Sequence, residues 1–136
     1  IGYPKAQLAE AVQRLDAHPE ITVVHRSRVI ETKPWGKTDQ PDFANMALAV
    51  ETSLKPEQLL DACLDVERAM GRERLERWGP RLIDIDVIAY DRLELRSDRL
   101  TVPHPFAHER DFVLIPLREI DPATAEWVVE RAKAPK

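Results

Sequence analysis

Cysteine is nearly absent. Cys63 stands alone among 136 residues, so no intramolecular disulfide can form, which fits a reducing compartment. A lone cysteine of this kind reads as a small core residue, not a nucleophile. Glycine is also scarce, with four in all, and neither G-x-x-x-x-G-K-[ST] nor G-x-G-x-x-G occurs. The P-loop and Rossmann ways of holding phosphate are therefore excluded. No serine sits in a nucleophile elbow. Aromatics make up 6%, and no strand carries the paired rings on which RNA bases stack. Long hydrophobic runs are missing too. Stretches such as ANMALAV (44–50) and FVLIPL (112–117) fall far short of a membrane span. No basic segment followed by an apolar one opens the chain, so nothing marks it for secretion, and a cytoplasmic protein is expected. Twenty basic residues against 24 acidic ones leave a net charge of −4, which excludes a whole-molecule field that attracts nucleic acid.

What is present, 43% apolar and 32% charged residues, is an ordinary globular balance sized for one domain. Leu8, Ala11, Val12 and Leu15 recur at helical spacing over residues 4–17. Residues 21–31, rich in β-branched side chains, read as a strand, 32–42 as a loop, and 43–54 as a second strand buried on both faces. Pro56 opens a helix to about residue 70, with Gly71 placed as its C-cap. A charged loop (72–81) leads into an alternating strand (82–90), a turn at 91–92 and a short strand at 93–96. Residues 100–112 form a proline-interrupted connection, and 113–120 suit helix or strand equally. Asp121 and Pro122 open a last helix as N-cap and first position. The order is that of a βαββαβ sandwich without its first strand.

Asp84 and Asp86 sit two apart, so both leave one face of a strand, roughly 7 Å apart at the Cα atoms, while Ile83, Ile85 and Val87 fill the other. Paired carboxylates suit Mg²⁺, which takes one or two of them together with substrate phosphates. A solvated strand face would show the same spacing. Just upstream lie Arg68, Arg72, Arg74, Arg77 and Arg81, which as guanidinium groups are bidentate phosphate ligands. Carboxylates for magnesium beside arginines for phosphate are the parts of phosphoryl transfer. His104, between prolines in TVPHPF, has a rigid setting for a ligand or for packing, whereas His18, His25 and His108 lack metal-ligand spacing.

The blocks RWGPRLIDIDVIAYD (77–91), TVPHP (101–105) and TKPWGKTDQPDFAN (32–45) resemble three signature blocks of the 6-hydroxymethyl-7,8-dihydropterin pyrophosphokinase family, in order and spacing. Similarity runs from residue 1 to about residue 122. The resemblance implies an α/β (α+β) fold of the ferredoxin-like sandwich type, an antiparallel sheet with flanking helices. It also implies Mg-dependent transfer of pyrophosphate from ATP to a pterin hydroxymethyl group, releasing AMP, in folate biosynthesis. A single domain over residues 1–136 would act as a monomer on these two small molecules, with neither nucleic acid nor membrane.

By the same resemblance Asp84 and Asp86 bind two Mg²⁺ ions, and Asp86 accepts the hydroxyl proton. Arg72, Arg81, Arg99, His104 and Arg110 hold phosphates, with Arg72 and Arg81 nearest the transferred group. Glu67, Arg74, Trp78, Val87 and Thr101 match positions around the nucleotide. For the pterin, Phe112 and Trp78 supply rings, Asn45 reads the pyrimidine edge, and Thr32, Pro34, Gly36 and Phe43 line the slot. The loops 32–42 and 71–81 close over the substrates. Three departures stand out. The family's first strand, ending in a Gly-Ser-Asn or Gly-Gly-Asn turn, is expected to be missing here. Pro105 stands where some members carry an aromatic, and the arginine loop is one residue shorter than in some relatives. The rival readings are a non-catalytic ATP- or pterin-binding remnant, a nucleic-acid-binding ferredoxin-like module and a different Mg-dependent phosphotransferase.

Overall fold

The computed structural model describes residues 4–32, 43–72 and 83–134. The stripe of Ala11, Val12 and Leu15 is buried along α1 (Pro4–Asp16). β1 (Ile21–Arg26) then runs antiparallel to β4 (Leu48–Thr52), from Ile21 opposite Thr52 to Arg26 opposite Leu48, with an irregularity between Val23 and His25. β2 (Ile30–Thr32) pairs in the same sense with β3 (Phe43–Asn45), which sets Thr32 opposite Phe43 and Ile30 opposite Asn45.

The two long strands expected over 21–31 and 43–54 are each broken, and at the same level. Ser27 is the cause. Its buried hydroxyl donates to the carbonyl of Arg28 at 2.8 Å and accepts the Ala47 N–H at 2.8 Å, while its own N–H donates to the Ala47 carbonyl at 2.9 Å. A side chain that takes over backbone bonding interrupts a ladder in this way.

α2 (Pro56–Arg72) buries Leu59, Ala62, Cys63 and Met70. Gly71 falls inside its last turn and is not the cap expected of it. Residues 83–89 keep the expected alternation, with Ile83 and Val87 buried and Asp84 and Asp86 exposed. They are extended yet pair with no strand among the described residues, which corrects the expectation of a sheet strand here. Two bonds hold the segment instead. The Ile85 N–H donates to Glu67 Oε2 at 2.7 Å, and the His104 N–H donates to the Ile88 carbonyl at 2.8 Å. Its apolar side chains enter all three parts of the core: Ile83 with Ala11 and Met70, Val87 with Leu15, Leu59 and Val102, and Ile88 and Ala89 with Ala107, Ala125 and Val128.

The turn at 91–92 places Asp91 at φ 51°, and only Leu95–Arg96 of the expected 93–96 strand pairs, as β5, with β6 (Thr101–Val102). A short 3-10 turn (Ala107–Glu109) precedes α3 (Asp111–Ile120), which decides the ambiguous 113–120 for helix despite Pro116 within it. The buried Leu114 and Leu117, three apart, show the helical period that prevails. α4 (Pro122–Lys133) starts as expected. Asp121 accepts the Thr124 N–H at 3.1 Å, and the helix packs on α3 through Leu117, Ala125 and Val128. The described residues thus form an α+β structure of four α-helices and three two-stranded antiparallel pairs. None of these helices is long and apolar enough to cross a membrane.

Candidate active site

Between β4, whose second edge has no strand partner among the described residues, and the segment 83–89 lies a cavity of about 960 Å³. One side is the apolar surface of α1 and α2, including Leu15, Leu59 and Cys63. The other is α3 and the start of α4, including Val113, Leu117 and Thr124. Asn45, Asp84, Asp86, Arg110 and Phe112 all line it. Five residues from three separate stretches of sequence therefore meet in one place.

Each is positioned by a local feature. Asn45 ends β3, half-buried, where the break at 46–47 turns the chain. Asp84 and Asp86 flank Ile85, whose N–H is pinned by Glu67, so one carboxylate of α2 fixes the backbone between two others. Arg110 occupies the N-cap position of α3 and makes no side-chain bond to the helix, while its carbonyl accepts the N–H groups of Val113 and Leu114 at 3.0 Å. Phe112, in the first turn of α3, is exposed at 41%. The Arg110 Cζ lies 5.9 Å from the Phe112 ring centroid and 5.9 Å from that of Phe106.

His104 is half-buried, and its Nδ1 accepts the Phe106 N–H at 3.1 Å, which leaves Nε2 to donate when the ring is neutral. Burial holds its pKa below 6.5; the Asp86 carboxylate opposes that shift and the Arg110 guanidinium adds to it. These couplings put His104, Asp86 and Arg110 in one electrostatic neighbourhood. Burial likewise pushes the Cys63 thiol up to about 11, with Glu67 and Asp86 contributing, so it stays protonated at neutral pH and inert.

Other expected site residues are placed differently. Val87 is a core residue, so its side chain packs against Leu15 and Val102 and only its main chain is available to a nucleotide. The Arg99 guanidinium bonds to Asp61 and lies 3.7 Å from Glu57, both on α2. That pairing holds the Asp61 carboxyl below its ordinary range. Thr101 is half-buried in β6 opposite Arg96, and Phe43 is exposed in β3. Pro34, Gly36, Arg74, Trp78 and Arg81, and the side chains of Thr32 and Arg72, lie outside the described residues, as do both expected closing loops. The reading of the sequence missed Phe106. Its signal was there, an aromatic two residues after His104 and four before Arg110.

Two hard carboxylate donors exposed side by side at the cavity suit a magnesium ion that completes its shell with phosphate and water. Among the described residues no cluster of three or more His, Cys, Asp or Glu side chains forms a closed metal site. An open pair of this kind fits a metal delivered with its substrate.

Comparison with known proteins identifies relatives along most of the chain. The sequence pattern of the 7,8-dihydro-6-hydroxymethylpterin-pyrophosphokinase family matches residues 1–122. A protein of Methylorubrum extorquens named 2-amino-4-hydroxy-6-hydroxymethyldihydropteridine pyrophosphokinase is 53% identical over 122 residues, 90% of this chain and 77% of the relative. A Bacillus subtilis protein of the same name is 43% identical over 120 residues, 88% of this chain and 72% of the relative. The Bifunctional protein FolKE of Lactococcus lactis is 44% identical over 120 residues, which is 88% of this chain and 34% of that longer protein.

Proposed function

The chain belongs to the 7,8-dihydro-6-hydroxymethylpterin-pyrophosphokinase family, and from that premise we propose that it transfers the pyrophosphoryl group of ATP to the hydroxymethyl group of 6-hydroxymethyl-7,8-dihydropterin, releasing AMP, in folate biosynthesis. The observation that carries this reading is the convergence of Asn45, Asp84, Asp86, Arg110 and Phe112 on one cavity. The pterin lies flat against Phe112, and the Asn45 amide donates to and accepts from its pyrimidine edge. Arg110 and the Nε2–H of His104 bind phosphate oxygens, joined by Arg72 and Arg81 at the transferred group. Asp84 and Asp86 hold two Mg²⁺ ions, which when bound neutralise charge on the phosphate oxygens.

The pterin hydroxyl oxygen bonds to the β-phosphorus, the bond from that phosphorus to the bridging α-β oxygen breaks, and AMP departs. An Asp86 carboxylate oxygen takes the hydroxyl proton. Residues 1–136 work as one domain, and the cavity's deeper part seats one more strand between β4 and residues 83–89, completing a ferredoxin-like sandwich.

AMP formation with and without the pterin tests the activity. Turnover is expected to require the pterin and to fall at least about a hundredfold in Asp84→Asn and in Asp86→Asn, about 3 kcal/mol of transition-state stabilisation each. AMP release at one rate with or without pterin, or full activity in both variants, overturns the reading.

A further inference from the structure

We propose that Phe106 is a positioning residue that orients Arg110 for the nucleotide phosphates. The proposal rests on the reading of Arg110 given above. Phe106 is 52% exposed, so burial in the core does not account for its place. Its ring instead serves two site residues. The Arg110 Cζ is 5.9 Å from its centroid, and the His104 ring meets it edge-on at 6.2 Å and 67°. The Phe106 N–H also binds His104 Nδ1. Phe112 approaches the same guanidinium at 5.9 Å.

Two rings thus attend one planar cation, and no carboxylate among the described residues pairs with it. Aromatic contacts engage the face of a guanidinium and leave its N–H groups, which point outward in the plane, for an anion. Phe112 is occupied by the pterin in this reading. Phe106 is therefore the ring that keeps Arg110 in place whether or not the pterin is bound. An arginine already oriented loses less side-chain freedom when it grips phosphate.

The test compares Phe106→Leu, which keeps the bulk and loses the ring's charge distribution, with Phe106→Trp, which restores it. ATP affinity is measured by calorimetry in the presence of Mg²⁺, together with kcat and KM for each substrate. Leucine is expected to weaken ATP binding about threefold to fivefold, the size of one exposed cation–π contact, with kcat and the pterin KM unchanged. Tryptophan is expected to restore ATP affinity, and Phe106→Leu is expected to add nothing to Arg110→Ala. If Arg110→Ala weakens ATP binding while Phe106→Leu does not, the positioning role falls and the site reading stands. Tryptophan behaving like leucine, or leucine shifting all three parameters alike, also overturns the role. If Arg110→Ala itself leaves ATP affinity untouched, the phosphate role of Arg110 fails, and the inference with it.

Discussion

Glu67 shows how much of a site can rest on one residue that braces the backbone between two others. Its carboxylate accepts the Ile85 N–H at 2.7 Å and so fixes the backbone between Asp84 and Asp86. A strand partner would ordinarily take that N–H. Glu67→Ala is expected to lower stability by about 1–3 kcal/mol in urea unfolding, because a half-buried donor loses its acceptor. It should also raise the Mg²⁺ concentration needed for half-maximal turnover. Glu67→Gln, whose amide oxygen can accept the same bond, recovers most of both. The outward placement of the two aspartates was legible in the sequence, because alternation alone puts them opposite Ile83, Ile85 and Val87. The bracing by Glu67 was not. It joins residues 18 apart in the chain, and no local pattern encodes that distance. The pairing of Arg99 was illegible for a similar reason, since its partners Asp61 and Glu57 lie on a helix some forty residues earlier.

Among the elements, limits written in local chemistry were the easier to read, although Gly71 does not cap α2 as expected. The start of α4 is the clearest. Asp121 accepts from both the N–H and the hydroxyl of Thr124, at 3.1 and 2.6 Å, and Pro122 needs no donor partner. The hydrogen bonds from Thr124 hold the Asp121 carboxyl below its ordinary value of 3.8, with Arg92 and His25 helping. Since the pKa is depressed on folding, this stabilisation is complete above about pH 4 and fades as the pH falls below that. Asp121→Ala is therefore expected to cost about 1 kcal/mol at pH 7, measured by urea unfolding, and less at pH 3. Elements limited by distant contacts were harder to read. The break in the long hairpin depends on Ser27 reaching Ala47, and Ser27 as a letter in a β-rich run carries no such message. The shortness of β5 has the same origin, for Leu93 and Glu94 find no strand partner among the described residues, and the Leu93 N–H turns back to the Tyr90 carbonyl at 3.0 Å.

Across the molecule, the decisive feature is a cavity lined by all four helices and by β4 and residues 83–89, two backbone edges that join no common sheet among the described residues. Main-chain groups along such edges need partners, and a sheet supplies them most completely. A peptide of about six alternately apolar residues, added in excess, is expected to raise the melting midpoint by at least about 4 °C by seating as a strand between β4 and residues 83–89. A proline at the centre of that peptide should cancel the gain, since it removes a ladder donor. An unchanged midpoint would mean that no strand seats there. At the far end of the fold, Arg92 ties α4 down: its guanidinium donates to Thr124 Oγ1 at 2.9 Å and lies 5.3 Å over the Trp127 ring. Trp127 is the one tryptophan among the described residues, and Trp35 and Trp78 belong to the two stretches of sequence expected to close over substrate. The chain's intrinsic fluorescence therefore comes in two kinds: a steady background from an indole pinned beneath an arginine, and whatever changes the other two report when ligand arrives.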